Sequence, residues 1–152
     1  MQKIMPFLWF DNNAEEAMAF YTSIFNNSKI ISTNPGPDGK VMMGTFELEG
    51  QPLMALNGGP QYKFTEAFSF VVDCADQKEV DEYWSKLTAD GGSEGQCGWL
   101  KDKFGLSWQI VPSVLGELLG GPDPATSQRV MQAMLQMKKL DIAVLQQARD
   151  QK

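Results

Sequence analysis

Asn13-Ala14-Glu15-Glu16-Ala17 begins a pattern that decides the fold, because the chain contains it twice. The first copy continues through Phe20, Tyr21 and Ile24, and the second runs from Asp76-Gln77-Lys78-Glu79-Val80 through Tyr83, Trp84 and Leu87, 63 positions later. Each copy has a capping residue, a Glu three positions on, and apolar residues at the spacing of one helix face. Two such helices in equivalent places predict two like halves, which can enclose a space between them.

Short apolar runs predict strands around each helix. Lys3 to Phe10 precedes the first helix and Ala67 to Cys74 the second, and Pro6 predicts an edge position or a site without a ladder bond. The other predicted strands span 29–33, 41–49, 53–56, 97–101 and 107–111, with a poorly defined strand near 93–96. The result is an α+β protein with two βαβββ modules over residues 1–115, about 1–60 and 61–115, and a helical C-terminal extension over 116–152.

Capping signals place the helix starts. Asn13 and Glu16 predict a capping box for the first helix, and Asp76 caps the second. In the tail, Asp123 with a proline at the first helical position predicts one helix, and Asp141 predicts a last short helix through Arg149.

The acidic charge excludes several classes of function. The chain has 13 basic and 19 acidic residues, a net charge of −6 and no histidine. Nucleic acids and anionic membranes both require a basic surface. The N-terminal apolar run is too short for a signal peptide or a membrane span, and two cysteines make no disulfide framework. We therefore expect a cytoplasmic protein that binds neither nucleic acid nor membrane.

The tail differs from the rest of the chain in charge and in apolar content. Residues 126–152 carry a net charge of +3, against −9 for residues 1–125, so the tail either docks on an acidic surface or presents a solvated helix face. Val130, Met134 and Met137 share a helix face, with Met131 and Leu135 beside them. Such a stripe is typical of core packing, and if exposed it predicts a homodimer contact.

The element order, with an Asp-x-x-Gly turn before the last strand, resembles the vicinal oxygen chelate superfamily, which includes glyoxalase I, extradiol dioxygenases and bleomycin- or fosfomycin-resistance proteins. Within it, the chain is similar to the PhnB-like group, conventionally labelled 3-demethylubiquinone-9 3-methyltransferase-like. The stretches that carry the resemblance are 6–11, 55–60, 70–74, 97–102 and 107–112. The resemblance covers about residues 1–115, and the segment 126–149 is also similar to that group.

The resemblance implies four metal-binding positions, which the chain fills poorly. They fall on Met5, Leu53 or Met54, Ala67 and Gln109, and one Gln does not hold a divalent ion. A methyl donor is commonly bound by a Gly-rich turn that leads into a helix, whereas Gly91 to Gly95 lead away from one and predict a helix stop. We therefore expect no metal and no cofactor.

Strand alternation gives the candidate ligand-binding residues. If the implied metal positions face a cup, the residues two positions away on each strand face it as well. The cup is then apolar and aromatic with a few polar groups, as in small-ligand sites; the alternative is that its own side chains fill it. The candidates are Phe7, Trp9, Asn57, Ser69, Trp99, Ser107 and Gln109.

Three functions remain open. The first is a metal-free, dimeric binding protein for a small aromatic or apolar molecule that stacks on Trp9 and Trp99. The second is an enzyme on a quinone-like or other small aromatic substrate, with unknown catalytic residues. Cys97 or a carboxylate is conceivable there, because alternation places Cys97 and Lys101 on one strand face, although a small buried cysteine is the simpler interpretation. The third is a scaffold whose Met-rich tail makes a subunit contact.

Overall fold

The computed structural model describes residues 2–151, and the chain forms two compact units that divide between Phe64 and Thr65. The first contains strand β1 (Phe7–Phe10), helix α1 (Ala14–Ile24) and strands β2 (Lys29–Pro35), β3 (Val41–Leu48) and β4 (Gln51–Asn57). The second contains β5 (Ser69–Cys74), α2 (Gln77–Thr88), β6 (Ser93–Glu94), β7 (Trp99–Lys101) and β8 (Ser107–Pro112), followed by α3 (Leu115–Leu119), α4 (Pro124–Leu135) and α5 (Ile142–Asp150). The predicted α+β class, with two βαβββ modules and a helical tail, is confirmed.

The two sheets share one topology. The strand order is β1-β4-β3-β2 in the first unit and β5-β8-β7-β6 in the second. The parallel pairs are β1 with β4 and β5 with β8. All other neighbouring strands are antiparallel. Strand β1 lies at a sheet edge, as the proline before it predicts.

Each helix packs on one face of its own sheet, and strand alternation decides which residues are buried there. In the first unit Leu8 and Phe10 are buried with Tyr21 of α1 and Phe46 of β3. In the second unit the same layer consists of Val80, Trp84, Leu87, Leu100, Trp108 and Ile110. Trp108 and Ile110, even-numbered residues of β8, thus belong to the core. The odd-numbered residues of β7 and β8 point to the opposite face.

The two helix starts are capped differently. Asn13 is the N-cap residue, as predicted, but its side chain makes no cap hydrogen bond; instead, Asn57 Oδ1 at the end of β4 accepts from Ala14 N at 2.8 Å. At α2, Asp76 Oδ1 accepts from Glu79 N at 2.9 Å, and the Glu79 carboxylate accepts a backbone N–H just before the cap. The start of α1 is therefore held by its sheet, whereas the cap of α2 is local.

Three strands begin later than the sequence predicts, and one of them, β5, begins at Ser69 rather than Ala67. Strand β1 begins at Phe7 rather than Lys3; Pro6 has no N–H, and its carbonyl accepts from Met54 N at 3.0 Å. The strand predicted from Cys97 begins at Trp99, because Cys97 and Gly98 have φ angles of 58° and 87° and turn the chain. Cys97 therefore does not share a strand face with Lys101.

The tail helices lie within the second unit. They have a core of Leu118, Val130, Leu140, Leu145 and Ala148, against which Met134 and Met137 pack. The backbone N–H groups of Cys97 and Gly98 donate to the carbonyls of residues 137 and 138, both at 2.8 Å, and the Gln77 side chain bonds the chain before α5. Part of the Met-rich stripe is thus core packing, whereas Met131 and Leu135 remain exposed. Within residues 2–151, no helix is both long and apolar enough to cross a bilayer.

Candidate functional site: a cavity in the second unit

A cavity of about 520 Å³ lies in the second unit. Its volume falls within the range of small-molecule sites, roughly 300–1,000 Å³. It opens where β6, β7 and the start of β8 meet the segment before β5. The side chains that line it include Glu66, Glu94, Gln96, Trp99, Lys101 and Ser107.

The register of the sheet arranges the polar and aromatic side chains in two rows. Lys101 of β7 pairs with Ser107 of β8, which pairs with Ser69 of β5. Two residues along β8, Gln109 pairs with Trp99. Because alternate residues share a face, both rows lie on the side of the sheet opposite α2.

Ser107 is the anomalous group in this cavity. The residue is 1% exposed, and among the described residues its Oγ has no hydrogen-bond partner. A buried hydroxyl without a partner costs about 1–3 kcal/mol, so an unsatisfied one calls for an explanation. Because Ser107 lines the cavity, a molecule bound there is a candidate for the missing partner of this hydroxyl.

A buried carboxylate holds the hairpin that presents Lys101 and Ser107. Asp102 is 2% exposed and accepts from Leu106 N at 3.1 Å and from Trp108 Nε1 at 2.8 Å, among other donors. Asp102 N also donates to the Leu106 carbonyl at 2.9 Å, which closes the turn. Asp102 thus ties the turn between β7 and β8 to the core residue Trp108, and so positions Lys101 and Ser107.

Two carboxylates and one ammonium group set the charge of the cavity. Lys101 forms an ion pair with Glu66, and the Lys101 ammonium holds the pKa of the Glu66 carboxyl below its usual value. Glu94 Oε2 accepts from the indole N–H of Trp84 at 2.6 Å. Lys101 and Glu66 have side chains that are 46% and 60% exposed, so this ion pair contributes little to stability.

The structure brings four of the seven candidate residues together in the second unit. Trp99 and Ser107 line the cavity, and Gln109 Nε2 donates to Ser69 Oγ at 3.0 Å in the adjoining part of the sheet. The sequence did not identify Glu66 or Glu94, since both lie outside any chemical motif. For Lys101 the sequence does contain a signal, because it lies two residues from Trp99 on one strand and therefore on the same face.

The other three candidates lie in the first unit. Phe7 is half exposed. Trp9 Nε1 donates to the Gly59 carbonyl at 2.9 Å, and its ring meets Tyr62 edge-on with 5.0 Å between centroids. A Cβ at Gly58 would lie 2.4 Å from the Trp9 ring, so only glycine permits this close approach.

The Asn57 side chain has a structural role, because it joins three elements of the first unit. Its Oδ1 caps α1 at Ala14 N, and its Nδ2 donates to the Val41 carbonyl at 2.9 Å. One side chain therefore joins β4, α1 and the start of β3. Its ligand role stays a prediction.

Cys74 lacks the features of an activated nucleophile. Burial, together with the nearby carboxylates of Glu79, Asp73 and Asp76, raises the pKa of the Cys74 thiol to about 12. Cys74 is therefore a neutral thiol near pH 7. Cys97 sits in the turn before β7 and is half-buried.

The comparisons with known proteins decide the family. The model of the family described as 3-demethylubiquinone-9 3-methyltransferase matches residues 2–111. The chain belongs to this family. Together with the PhnB structure below, the match confirms the predicted PhnB-like, 3-demethylubiquinone-9 3-methyltransferase-like family. No curated protein matches the sequence.

Solved structures carry the same fold as this family member. The PhnB protein from Bacillus cereus is 36% identical, with a TM-score of 0.68, over 73% of this chain and 99% of that one. Protein PA1353 from Pseudomonas aeruginosa is 19% identical, with a TM-score of 0.61, over 74% and 98%. The fosfomycin resistance protein FosX from Listeria monocytogenes, solved with Mn(II) and sulfate, is 19% identical, with a TM-score of 0.57, over 79% and 98%.

The residues of this chain do not fit the metal that the superfamily implies. At the four implied positions, Met5, Leu53 or Met54, and Ala67 supply no nitrogen or carboxylate ligand. The fourth, Gln109, offers a single amide oxygen, which does not hold a divalent ion alone. Across residues 2–151, no three Cys, Asp or Glu side chains form a group that could hold an ion.

Proposed function

We propose that this protein binds a small aromatic or apolar molecule, without a metal ion, in the cavity of its second unit. The observation that carries the proposal is Ser107, a buried residue that lines the cavity and whose hydroxyl has no partner among the described residues. A ligand oxygen or nitrogen would satisfy it. The volume of about 520 Å³ accommodates a molecule of one to three fused rings.

Trp99 supplies the apolar contact. Its side chain is partly exposed and lines the cavity one register row from Ser107. Aromatic rings prefer offset or edge-on contacts with each other, worth about 0.5–1.5 kcal/mol beyond their buried area. Gln109 and Ser69 adjoin this row and stay candidates, as do Phe7, Trp9 and Asn57 from the first unit.

Fluorescence titration with neutral aromatic molecules such as 2-naphthamide tests the proposal. The wild-type emission should change saturably, and Trp99→Phe should abolish most of that change. Trp9→Phe serves as the matched control, because Trp9 belongs to the other unit and its indole N–H is bonded to Gly59. A response that disappears with Trp9 but not with Trp99 would place the ligand elsewhere, and no response across a broad panel would refute binding.

A second candidate function is catalysis on a quinone-like or other small aromatic substrate. The description of the family favours it. A turnover assay with quinol precursors and a methyl donor, comparing the wild type with Cys97→Ala, tests this function. Formation of methylated product by the wild type would support it, and binding without any product would favour the first proposal.

We also infer a homodimer that forms through the exposed face of α4. Met131 and Leu135 lie one turn apart and are 40% and 53% exposed, and the cationic tail complements the acidic remainder of the chain. Deleting the tail would also remove core residues such as Val130, so a point substitution is the cleaner test. Leu135→Gln should weaken the dimer in sedimentation experiments, whereas Ile4→Gln, which is also exposed, should not. A monomeric wild type would contradict the inference.

A further inference from the structure

We infer that the ligand is an aromatic carboxylate, whose anionic end meets Ser107 and Lys101 and whose ring lies on Trp99. The inference rests on the proposed function and adds the chemical class of the ligand. It follows from two hydrogen-bond donors, Lys101 and Ser107, which are paired across β7 and β8, and from Glu66, which forms an ion pair with Lys101 in this structure.

Lys101 and Ser107 provide two neighbouring hydrogen-bond donors. Lys101 and Ser107 are direct partners across β7 and β8, and both line the cavity. The ammonium group of Lys101 can only donate, and the buried Ser107 hydroxyl needs a partner. Two adjacent donors match the two oxygens of a carboxylate, and hydrogen bonds between charged groups are the stronger kind.

In this structure a carboxylate of the chain itself, that of Glu66, is paired with Lys101. Glu66 lies in the segment before β5, lines the cavity and holds the Lys101 ammonium in an ion pair. The pair shows that a carboxylate reaches Lys101 at the cavity wall. Because both partners are largely exposed, the pair is weak and a ligand carboxylate can replace Glu66.

The spacing between the rows of Trp99 and Lys101 sets the length of the ligand. Trp99 lies two residues from Lys101 on the same strand and on the same face, which separates their rows by roughly 7 Å. A carboxylate attached to a two-ring system spans about that length between its oxygens and its outer ring. The remaining carboxylate of the cavity, Glu94, is directed to the indole N–H of Trp84 at 2.6 Å.

A charge series on one scaffold tests the inference. The probes are 2-naphthoate, its neutral analogue 2-naphthamide and the cationic 2-naphthylmethylammonium, titrated by calorimetry near pH 8. The wild type should bind naphthoate most tightly. Lys101→Gln should weaken naphthoate binding by about 5- to 30-fold and leave naphthamide within about 2-fold, because only the anion loses a charged hydrogen bond.

Three further variants separate this role from a structural one. Lys101→Arg should restore most of the affinity for naphthoate, and Glu66→Gln should raise it, since the competing carboxylate is gone. Lys103→Gln is the matched control: it removes the same charge two residues away, from a lysine whose Nζ lies 5.5 Å from the centre of the Phe104 ring. Lys103→Gln should change neither affinity.

The outcomes distinguish the two proposals. If naphthamide or the ammonium binds more tightly than naphthoate, or if Lys101→Gln weakens all three equally, the carboxylate inference is wrong while binding in the cavity stands. If none of the three binds the wild type, both proposals fail.

Discussion

Replacing Asp102 with Asn is expected to destabilise the second unit by about 2–4 kcal/mol. The carboxylate is buried, its Oδ1 accepts from Phe104 N at 2.9 Å and from Leu106 N at 3.1 Å, and its Oδ2 accepts from Trp108 Nε1 at 2.8 Å. Asn has nearly the same shape but only one oxygen. Its amide nitrogen must therefore face either the indole N–H or the backbone N–H groups.

The magnitude follows from the donors that lose their acceptor. If the Asn oxygen stays with the two backbone N–H groups, the indole N–H of Trp108 and the amide NH₂ of the new Asn face each other. Two unsatisfied buried donors cost about 1–3 kcal/mol each. Removing a buried charge saves part of the desolvation penalty that Asp102 carries, which lowers the net loss to the range above.

Urea unfolding followed by tryptophan fluorescence measures this loss. With an m-value of about 2 kcal/mol/M, the midpoint should fall by roughly 1–2 M. Asp90→Asn is the matched control: Asp90 is exposed and has φ 58°, a conformation that Asn also adopts readily, so its midpoint should barely move. The double variant Asp102→Asn/Trp108→Phe should lose less stability than the sum of the single variants, because phenylalanine removes the opposing donor. An Asp102→Asn midpoint equal to that of Asp90→Asn would show that the Asp102 carboxylate does not hold the turn.

Other predictions concern the α1 cap, the thiols and metal. Asn57→Ala should lower the free energy of unfolding by about 1–3 kcal/mol and Asn13→Ala by much less, because only Asn57 bonds Ala14 N; the reverse order in urea unfolding would contradict the capping assignment. Since the folded pKa of Cys74 is about 12 against an ordinary 9.0, its neutral thiol contributes stability that is present below pH 9 and lost as pH rises towards 12. Cys74→Ala should therefore lose less stability than the wild type over that interval, and thiol titration of the native protein near pH 8 should label Cys97 well before Cys74. Protein purified without chelators should contain no stoichiometric divalent metal by elemental analysis, and EDTA should leave its melting temperature unchanged; a bound ion that EDTA removes with loss of stability would contradict this.

The fold could be predicted because its signals are local and repeated. The stripes on α1 and α2 have helical spacing, the Asp76 cap lies three residues from its Glu79 partner, and the strands alternate. The cap of α1 could not be predicted in this way, because the Asn57 that provides it lies 43 residues from Ala14 and reaches it only through the pairing of β4 with β1.

The candidate site was predictable in part. Ser107, Trp99 and Gln109 follow from alternation once β7 and β8 are placed, since register then fixes which residues are neighbours. Glu66 precedes β5 in a segment without periodicity, so its approach to Lys101 depends on tertiary structure alone. The positive φ of Cys97 was also missed, because non-glycine residues seldom adopt it.

Titration of isotope-labelled protein with 2-naphthoate, in buffer that contains EDTA, tests metal-free binding in the cavity most directly. The chain has four tryptophans, whose indole N–H groups give separate signals in two-dimensional amide spectra. Binding in the cavity should give saturable shifts for the indole of Trp99 and the backbone amides of Lys101 and Ser107, with small changes for the core residue Trp108. Absence of saturable shifts, or shifts that avoid Trp99 and Ser107, would contradict it.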